Sequence, residues 1–415
     1  WLAGTAFLHS VMVQEKRGML KVWNVSLVAL TFFLAVTGDF LTRSGIVQSM
    51  HAFAQSEIGS YIAIFLGVVA VVSVTLILSR LDFLKSENRL DSVTSRESGF
   101  LFNNWILLAL VFAVLWGTVF PIISKAVESR TVTVGPPFFD KVAVPMGLML
   151  LFLTGAGPLL AWRKTSFESL RRNFTIPLAI AAGVGLALWL AGVRSLYPWM
   201  SLFLGAFVAA SVLGEFYKGS RTRQSSTGEG FFAALYNLSA RNTRRYGGYV
   251  VHLGIVLIFV GFAGLAFKVH AKSVMAPGDL LQAGNYLLRC DTMKAGDTPN
   301  YTYEDAVLTV VKDGKAFAMV KPERRFYKAS QQPISHVAIH RTLAGDLYVV
   351  LAGQDAGTGK AVIEVFINPL VNWVWIGGIV FVLGTLIAFV PSRVEREMAQ
   401  LRQAQAEALE ERNAL

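Results

Sequence analysis

Residues 246–267 read YGGYVVHLGIVLIFVGFAGLAF, an uncharged and mostly apolar run that contains one histidine, His252. A helix needs about 20 mostly apolar residues to cross a bilayer, so this stretch predicts a membrane span over residues 249–267. An ionisable side chain inside the hydrocarbon layer is costly and marks a functional site by default. The stretch therefore indicates both the fold class and a place to look for a site.

The whole chain has the composition of a polytopic membrane protein. Of its 415 residues, 54% are hydrophobic and only 16% are charged, which is unlike a soluble globular protein. We predict an all-α polytopic membrane protein with one partial span, which ends near Val13, and about eight complete spans. Besides 249–267, the complete spans are predicted at 23–42, 60–79, 100–123, 142–162, 176–193, 198–217 and 370–390.

The basic residues predict the orientation of the chain. The formal net charge is +11, but Lys and Arg concentrate in alternate loops, at 14–22, 80–99, 163–175, 218–248 and after Pro391. Such an excess marks the cytoplasmic side of a membrane protein. The charge is therefore a topology signal rather than a nucleic-acid patch, and the C-terminus is expected in the cytoplasm.

Residues 268–369 interrupt the hydropathy pattern. Alternating runs such as 306–311 and 347–351 are followed by turn-forming segments, which predicts a β-rich domain held between two membrane helices. The predicted organisation is a helical membrane region at 1–267, the β-rich domain at 268–369 on the outer side, a last span at 370–391 and a helical cytoplasmic tail at 392–415. The single cysteine, Cys290, excludes dithiol chemistry and a covalent haem-attachment motif.

Two histidines share one expected depth in the membrane. His9 lies four residues before the cytoplasmic end of its span, and His252 lies about three residues after the start of its own. At 1.5 Å per residue both are about 5–6 Å inside the same face. Neutral imidazole is a common haem ligand, so the pair is a candidate for clamping one haem. Interfacial histidines that bond to backbone carbonyls are the alternative.

A third histidine, His51, is predicted on the outer side. Apolar residues between 46 and 54 fall at helical spacing, which is typical of a short interfacial helix, and Arg43 nearby is a natural partner for a haem propionate. An outer-loop histidine without a role is the alternative. His336 and His340 would lie about 13 Å apart on one strand, too far for one metal ion, and His270 also falls in the β-rich domain.

The remaining polar residues of the spans have structural explanations. Asp39 and Glu215 lie near the membrane boundary, where snorkelling or ion pairing is expected. Arg96-Glu97 and Asn103-Asn104 at a helix entrance are typical of caps or interhelical hydrogen bonds. Small residues around His252 allow close approach of either a neighbouring helix or a flat macrocycle, and the sequence leaves both open.

Taken in order, several short motifs resemble the CcmF family of cytochrome c-type biogenesis proteins, the CcmF/CycK/NrfE-like members of the haem-handling CcmF/CcmC/CcsA group. No single motif is decisive, but the set runs along the whole chain. The matching segments are residues 1–10, 15–18, 42–45, 49–53, 95–97, 103–104, 134–139, 245–249, 252–254, 368–370 and 373–378.

The resemblance implies a role for each histidine. His9 and His252 match the two transmembrane ligands of a resident haem b. His51 matches the second of two periplasmic histidines that bind haem delivered by the chaperone CcmE. The family implies a haem-binding subunit of cytochrome c haem lyase in the bacterial inner membrane. CcmH, CcmI and apocytochrome c are the implied protein partners, with membrane lipid, with quinol as a candidate, and with no nucleic acid.

One departure from the family concerns its WWD segment and first periplasmic histidine, which precede the position of Trp1. The sequence begins inside an apolar run without an initiator Met, and we expect it to be the downstream part of a longer protein that does not act alone. In the implied mechanism the resident haem reduces the delivered haem, which then forms thioether bonds with reduced CxxCH cysteines.

Two other function classes are weighed against this one. A secondary transporter would favour matched Gly/Pro interruptions in paired spans, which the sequence lacks. A quinol-oxidising cytochrome b also uses bis-histidine haem. Such proteins commonly stack two haems and then need four intramembrane histidines, whereas this chain has two.

Overall fold

The computed structural model describes residues 1–46, 58–355 and 357–414. Within these ranges the chain forms eleven α-helices and ten strands. The helices are α1 (Leu2–Arg17), α2 (Lys21–Arg43), α3 (Ile58–Ser79), α4 (Arg96–Glu128), α5 (Pro136–Ala156), α6 (Phe167–Leu190), α7 (Leu196–Thr227), α8 (Phe231–Arg241), α9 (Thr243–Gly264), α10 (Asn372–Phe389) and α11 (Arg393–Ala414). The strands are β1 (Val269–Met275), β2 (Leu280–Ala283), β3 (Tyr286–Asp297), β4 (Tyr301–Lys312), β5 (Lys315–Val320), β6 (Glu323–Tyr327), β7 (Gln332–His336), β8 (Ala338–Thr342), β9 (Gly345–Gln354) and β10 (Ala361–Pro369).

In the part of the chain that the structure describes, eight helices are long and apolar enough to cross a membrane, and each contains or overlaps one of the predicted spans. The predicted fold class is confirmed. Several helices extend past the apolar run that predicted them: α4 begins at Arg96, α6 begins at Phe167 and α7 continues to Thr227. A helix does not end where the hydrocarbon ends, because polar residues beyond that level continue it in the headgroup region and in water.

The chain divides into two compact units, Trp1–Ile180 and Ala181–Leu415. In the first unit, α1 packs against α2 and α4, and its buried residues recur every three or four positions (Ala3, Ala6, Ser10, Val13). The end of α1 is formed by Gly18 at φ 61°, whose N–H donates to the Gln14 carbonyl at 2.8 Å. Glycine adopts this left-handed conformation at little cost.

A buried ion pair joins α1 to the first turn of α4. Ser95 caps α4 by accepting a hydrogen bond from the Ser98 N–H at 3.1 Å. Nε of Arg17 lies 3.1 Å from a carboxylate oxygen of Glu97, whose side chain is only 3% exposed. Both oxygens of that carboxylate also accept from the Arg163 N–H at 3.0 Å. The predicted role of Arg96-Glu97 at a helix entrance is therefore an interhelical one.

In the second unit, α9 and α10 are joined through glycine. A Cβ built on Gly254 would lie 2.6 Å from the Phe381 backbone nitrogen, and one on Gly247 would lie 2.6 Å from that of Ala388. From the other side, a Cβ on Gly377 would lie 2.6 Å from the Gly254 carbonyl oxygen. Small residues allow such close approach of membrane helices. Of the two explanations left open by the sequence, Gly247 and Gly254 serve helix packing.

The residues between α9 and α10 fold into a β-sandwich. One sheet has the order β1-β10-β9-β8, and the other has the order β2-β3-β4-β6-β7, with β5 also paired to β4. Inward-facing side chains form one core, and burial of Cys290 there raises the pKa of its thiol. The fully buried members of this core are Met275, Leu288, Cys290, Ala306, Leu308, Val310, Val349, Ile363 and Val365.

The β8–β9 turn attaches the sandwich to the start of α10. The side-chain amide of Asn372 donates to the Thr342 carbonyl at 2.7 Å, and the indole N–H of Trp373 donates to the Leu343 carbonyl at 3.0 Å. The Leu370 N–H donates to the Ala344 carbonyl at 2.9 Å. The sandwich is thereby held to the helix by bonds as well as by its two chain connections.

The α9–α10 contact predicts opposite effects for two alanine substitutions on one helix. Gly254→Ala places a methyl group against backbone atoms and should lower the free energy of unfolding by about 1–3 kcal/mol, as overpacking does. Gly248→Ala enters open space and should be neutral or stabilising, by up to about 1 kcal/mol from helix propensity. Thermal unfolding of the detergent-solubilised protein compares them. A Gly254→Ala protein as stable as the parent would contradict the contact.

The ion pair at α4 gives a second matched pair of substitutions. Glu97→Gln leaves the buried Nε of Arg17 without its carboxylate, although the other end of the guanidinium keeps Asp91 at 2.8 Å, and should cost about 1–3 kcal/mol. Glu128→Gln, at the other end of α4, breaks a pair with Arg130 whose side chains are 53% and 73% exposed, and should change stability by less than about 1 kcal/mol. Unfolding temperatures test the difference. Equal effects of the two substitutions would show that the buried pair does not hold α1 to α4.

Candidate functional site

His9 is held on α1 by a hydrogen bond from the neighbouring helix. Its Nδ1 lies 2.8 Å from the side-chain nitrogen of Asn103 on α4. A carboxamide donates through nitrogen and accepts through oxygen, so Asn103 can bond either tautomer of the ring. When its oxygen accepts from Nδ1–H, the lone pair of Nε2 is left to bind a metal. A partner on the second ring nitrogen is usual for ligating histidines.

Aromatic rings cover the same end of the first unit. The His9 ring stacks on Phe100 with centroids 5.7 Å apart and an interplanar angle of 26°. Phe100 in turn lies 6.3 Å from Trp162, and the Arg96 guanidinium lies over that indole at 5.6 Å. Arg96 is fixed by hydrogen bonds to the carbonyls of Leu160 and Pro158. One face of the His9 ring is therefore covered by an aromatic cluster, whose outer ring lies under a hydrogen-bonded guanidinium.

Two polar side chains, which follow His9 and Asn103 directly in the sequence, have hydrogen-bonding groups without a partner. The Ser10 hydroxyl and both polar atoms of the Asn104 side chain are buried, and they make no hydrogen bond to any residue that the structure describes. A buried polar group without a partner costs about 1–3 kcal/mol. Together with the position of the His9 imidazole, these groups fit a site that binds a ligand with an iron centre and polar substituents, as haem has.

His252 lies in the second unit, on the face of α9 away from α10. It comes two positions before Gly254, about 160° around the helix axis, and its side chain is partly exposed. The turns before it carry Arg245, which pairs with Glu215 of α7 at 2.7 Å and donates to the Tyr249 hydroxyl at 3.0 Å. The ion pairing predicted for Glu215 is confirmed. His252 thus belongs to the part of α9 next to α7, and the contact with α10 does not need it.

Of the residues predicted on the outer side, the structure describes Arg43 but not His51. Arg43 is the last residue of α2 and pairs with Asp39 one turn earlier at 2.8 Å, which confirms the ion pairing predicted for Asp39. His51, with most of the predicted interfacial helix at 46–54, lies outside the described residues. The proposed roles of His51 and Arg43 in binding haem therefore stay predictions.

The other histidines belong to the sandwich. His270 of β1 stacks on Phe366 with centroids 4.3 Å apart. A hydrogen bond from Lys272 lowers the pKa of Glu364 beside it. His336 ends β7 in one sheet, whereas His340 lies on β8 in the other, so they do not share one strand. Across 1–46, 58–355 and 357–414, no three His, Cys, Asp or Glu side chains form a metal-binding group.

The sequence indicates His9 and Asn103 as candidate polar residues of the membrane region, but it does not show that they contact each other. Asn103 was singled out as a polar residue near a helix entrance, and the structure identifies His9 as what it contacts. The short helix α8 was not predicted, because an eleven-residue helix within a basic loop is too short to resemble a span. Its exposed aromatic residues were the available signal.

Comparison with known proteins is consistent along the chain. Residues 266–369 match the family described as the CcmF C-terminal beta-sandwich. The cytochrome c-type biogenesis protein CcmF of Haemophilus influenzae is 32% identical over 397 residues, which cover 95% of this chain and 60% of that protein. The protein of the same name from Pseudomonas aeruginosa is 33% identical over 403 residues, covering 95% of this chain and 59% of the relative.

A solved structure agrees with the sequence matches. The structure titled "Cytochrome c Heme Lyase CcmF" superimposes with a TM-score of 0.74 at 25% identity, over 94% of this chain and 58% of that one. The chain thus spans about three fifths of the length of its relatives. The matches cover both the membrane helices and the β-sandwich. They show that this chain belongs to the CcmF family of cytochrome c-type biogenesis proteins.

Proposed function

We propose that the protein acts in cytochrome c maturation as a subunit of a haem lyase. It takes haem from the chaperone CcmE and joins it to the CxxCH motif of apocytochrome c, with CcmH and CcmI as further partners. The observation that carries the proposal is His9, an imidazole on α1 whose Nδ1 is held by Asn103 beside buried polar groups. Family membership supplies the class of reaction.

His9 and His252 are the residues proposed to hold a resident haem b. The equal depth in the membrane that the sequence predicts for them, and their match to the family, support this pairing. When bound, such a haem supplies one-electron reduction, for which quinol is a candidate donor. With its amide turned so that the oxygen accepts from Nδ1–H, Asn103 orients the His9 ring and leaves the Nε2 lone pair available, and Phe100 packs against the flat face of the imidazole.

His51 and Arg43 are proposed to receive the delivered haem, which is the substrate. In the bond-forming step each cysteine S–H adds across a haem vinyl group, so the sulfur–carbon and carbon–hydrogen bonds replace the S–H and the double bond. No atoms are lost, and no oxidant is consumed. To bind a propionate, the Arg43 guanidinium would have to give up its exposed ion pair with Asp39, whose carboxylate competes with the propionate.

The proposed location is the bacterial inner membrane. The basic loops and the helical tail α11 face the cytoplasm, and the β-sandwich faces the periplasm, where the chaperone and the apocytochrome meet the protein. The excess of Lys and Arg in alternate loops supports this orientation.

The resident site predicts a spectroscopic phenotype. His9→Ala or His252→Ala should remove most of the b-type haem from the purified protein, and added imidazole should restore part of it, because free imidazole can occupy the space of the missing side chain. His340→Ala, in the sandwich, is the control and should keep a full complement. A pyridine haemochrome spectrum measures the haem. A His9→Ala/His252→Ala protein with a full b-type spectrum would show that these residues are not the ligands.

Asn103 is predicted to tune the potential of that haem. An acceptor on Nδ1–H makes the imidazole a stronger base, which favours the oxidised iron. Asn103→Asp should therefore lower the midpoint potential, and Asn103→Leu should raise it, in each case with haem retained. Asn173→Leu, which removes an amide bonded elsewhere, should leave the potential unchanged. If Asp and Leu shift the potential in the same direction, the role of Asn103 is only structural.

The delivered-haem site predicts a separable phenotype. His51→Ala should leave the b-type spectrum intact but stop maturation, so that haem accumulates on CcmE. Arg43→Gln should be milder, since a hydrogen bond to a charged group contributes about 1.5–3 kcal/mol. Haem staining of CcmE and of cytochrome c in cells gives both readouts. Normal maturation by the His51→Ala protein, or loss of its resident haem, would show that two separate sites do not exist.

A further inference from the structure

The short helix α8 crosses α7 instead of running along it. Phe231, at the start of α8, lies 6.1 Å from the Tyr217 ring. Seven residues later, Leu238 comes so close to Gly219 that a Cβ there would lie 2.7 Å from its side chain. Seven helical residues span about 10.5 Å, whereas Tyr217 and Gly219 are only about 3 Å apart along α7. The axis of α8 is therefore steeply inclined to that of α7.

The crossing falls at the boundary of the apolar region. The apolar run of α7 ends at Tyr217, and the polar sequence KGSRTRQSST follows at 218–227. Tyr246, in the first turn of α9, reaches the same point, since a Cβ on Gly219 would lie 2.7 Å from its hydroxyl. A helix inclined to a membrane span at this level lies along the membrane surface, on the side that carries the basic loops.

The outward face of α8 is aromatic. Ala234 and Leu238 lie toward α7, whereas Phe232 and Tyr236, one turn apart, are 82% and 66% exposed. Ala233 and Ala240 fall on the same side at about 100° per residue, and this arc contains no charged residue. A solvated helix face carries charged or polar side chains, so this face is built for an apolar neighbour.

Arginines lie at the edge of the aromatic surface. The Arg221 guanidinium is 5.5 Å from the ring of Tyr217, and the Arg393 guanidinium is 5.8 Å from that of Tyr236. Arg393 also donates to the Asn237 side chain at 3.3 Å. Tyr217 is itself 53% exposed and lies one turn after Leu213, which is 55% exposed on the same face of α7. Aromatic side chains with flanking arginines suit the boundary between acyl chains and phosphate groups.

We propose that α8 is an interfacial helix that binds the lipid leaflet on the basic side of the protein. Phe232 and Tyr236 enter the acyl-chain boundary, and Arg221 and Arg393 contact the phosphates of anionic headgroups. Charge complementarity and continuity with the exposed apolar surface of α7 select lipid over a protein partner. Bound in this way, α8 fixes the depth of α7 and α9, and therefore the level of His252, in the bilayer.

Spin labels measure the depth of this helix directly. Phe232→Cys and Tyr236→Cys carry the label in separate proteins, reconstituted into vesicles of phosphatidylcholine and phosphatidylglycerol. Thr222→Cys, on the polar extension of α7, is the aqueous control, and Leu213→Cys, 55% exposed on α7, is the membrane control. Cys290 is buried in the sandwich core and should not take the label, which unsubstituted protein verifies.

Collision with oxygen and with a water-soluble nickel complex distinguishes the outcomes. Labels at 232 and 236 should favour oxygen over nickel, with values between those of the two controls. Values equal to the Thr222→Cys control would place α8 in water and overturn the proposal. Low accessibility to both reagents would show a protein cover, either a second copy or another chain, and would also overturn it.

The arginines have a matched control of their own. Arg221→Gln together with Arg393→Gln should reduce the depth of the label at 236 in vesicles with phosphatidylglycerol, and should remove the difference from vesicles of phosphatidylcholine alone. Arg194→Gln, whose guanidinium lies over Trp189 at 4.0 Å in a different loop, should have no effect. Insertion that never depends on anionic lipid would overturn the role given to the arginines.

Discussion

The second unit depends on the backbone contact between α9 and α10. Gly247, Gly254 and Gly377 bring the two helices so close that no Cβ fits between them. At the start of α9, the Thr243 hydroxyl also donates to the Val390 carbonyl at 2.6 Å. Because α9 leads into β1 and α10 follows β10, the same contact brings the two connections of the sandwich together. There β1 and β10 pair antiparallel, with Val269 opposite Ile367. The helix pair in the membrane thus continues as a strand pair outside it, and it sets the register in which the sandwich begins.

Polar contacts play the corresponding part in the first unit. Apolar surfaces give little preference for one register of two membrane helices over another, since lipid solvates them as well as a neighbour does. On α1 and α4 the register is specified by Arg17 with Glu97 and by His9 with Asn103. These pairs run in opposite directions along the two helices, as an antiparallel packing requires. A residue proposed to ligate haem is therefore also placed by the contact that holds the helices.

Hydropathy predicted the spans because length and apolarity are what a bilayer selects. It could not predict where α4 and α6 begin or where α7 ends, since their polar extensions form helix outside the hydrocarbon. It also missed α8, whose eleven residues are too few to cross. The glycines near His252 were ambiguous because a helix and a flat ligand require the same small side chain. Only three-dimensional packing assigns Gly254 to α10. The partner of Asn103 was hidden for a related reason: a sequence shows that a helix carries an amide, but not which neighbour faces it.

The polar residues of the membrane region divide by what they already bond. Glu215 and Glu97 are matched by arginines, and such pairs are complete without a ligand. Ser10 and Asn104 are buried without a partner in the described part of the chain, and the His9 imidazole uses Nδ1 in its bond to Asn103. Polar groups without a partner are costly inside a membrane and are candidates for function by default. The groups around His9 are therefore the candidate binding site, and the paired carboxylates join neighbouring helices without needing a ligand.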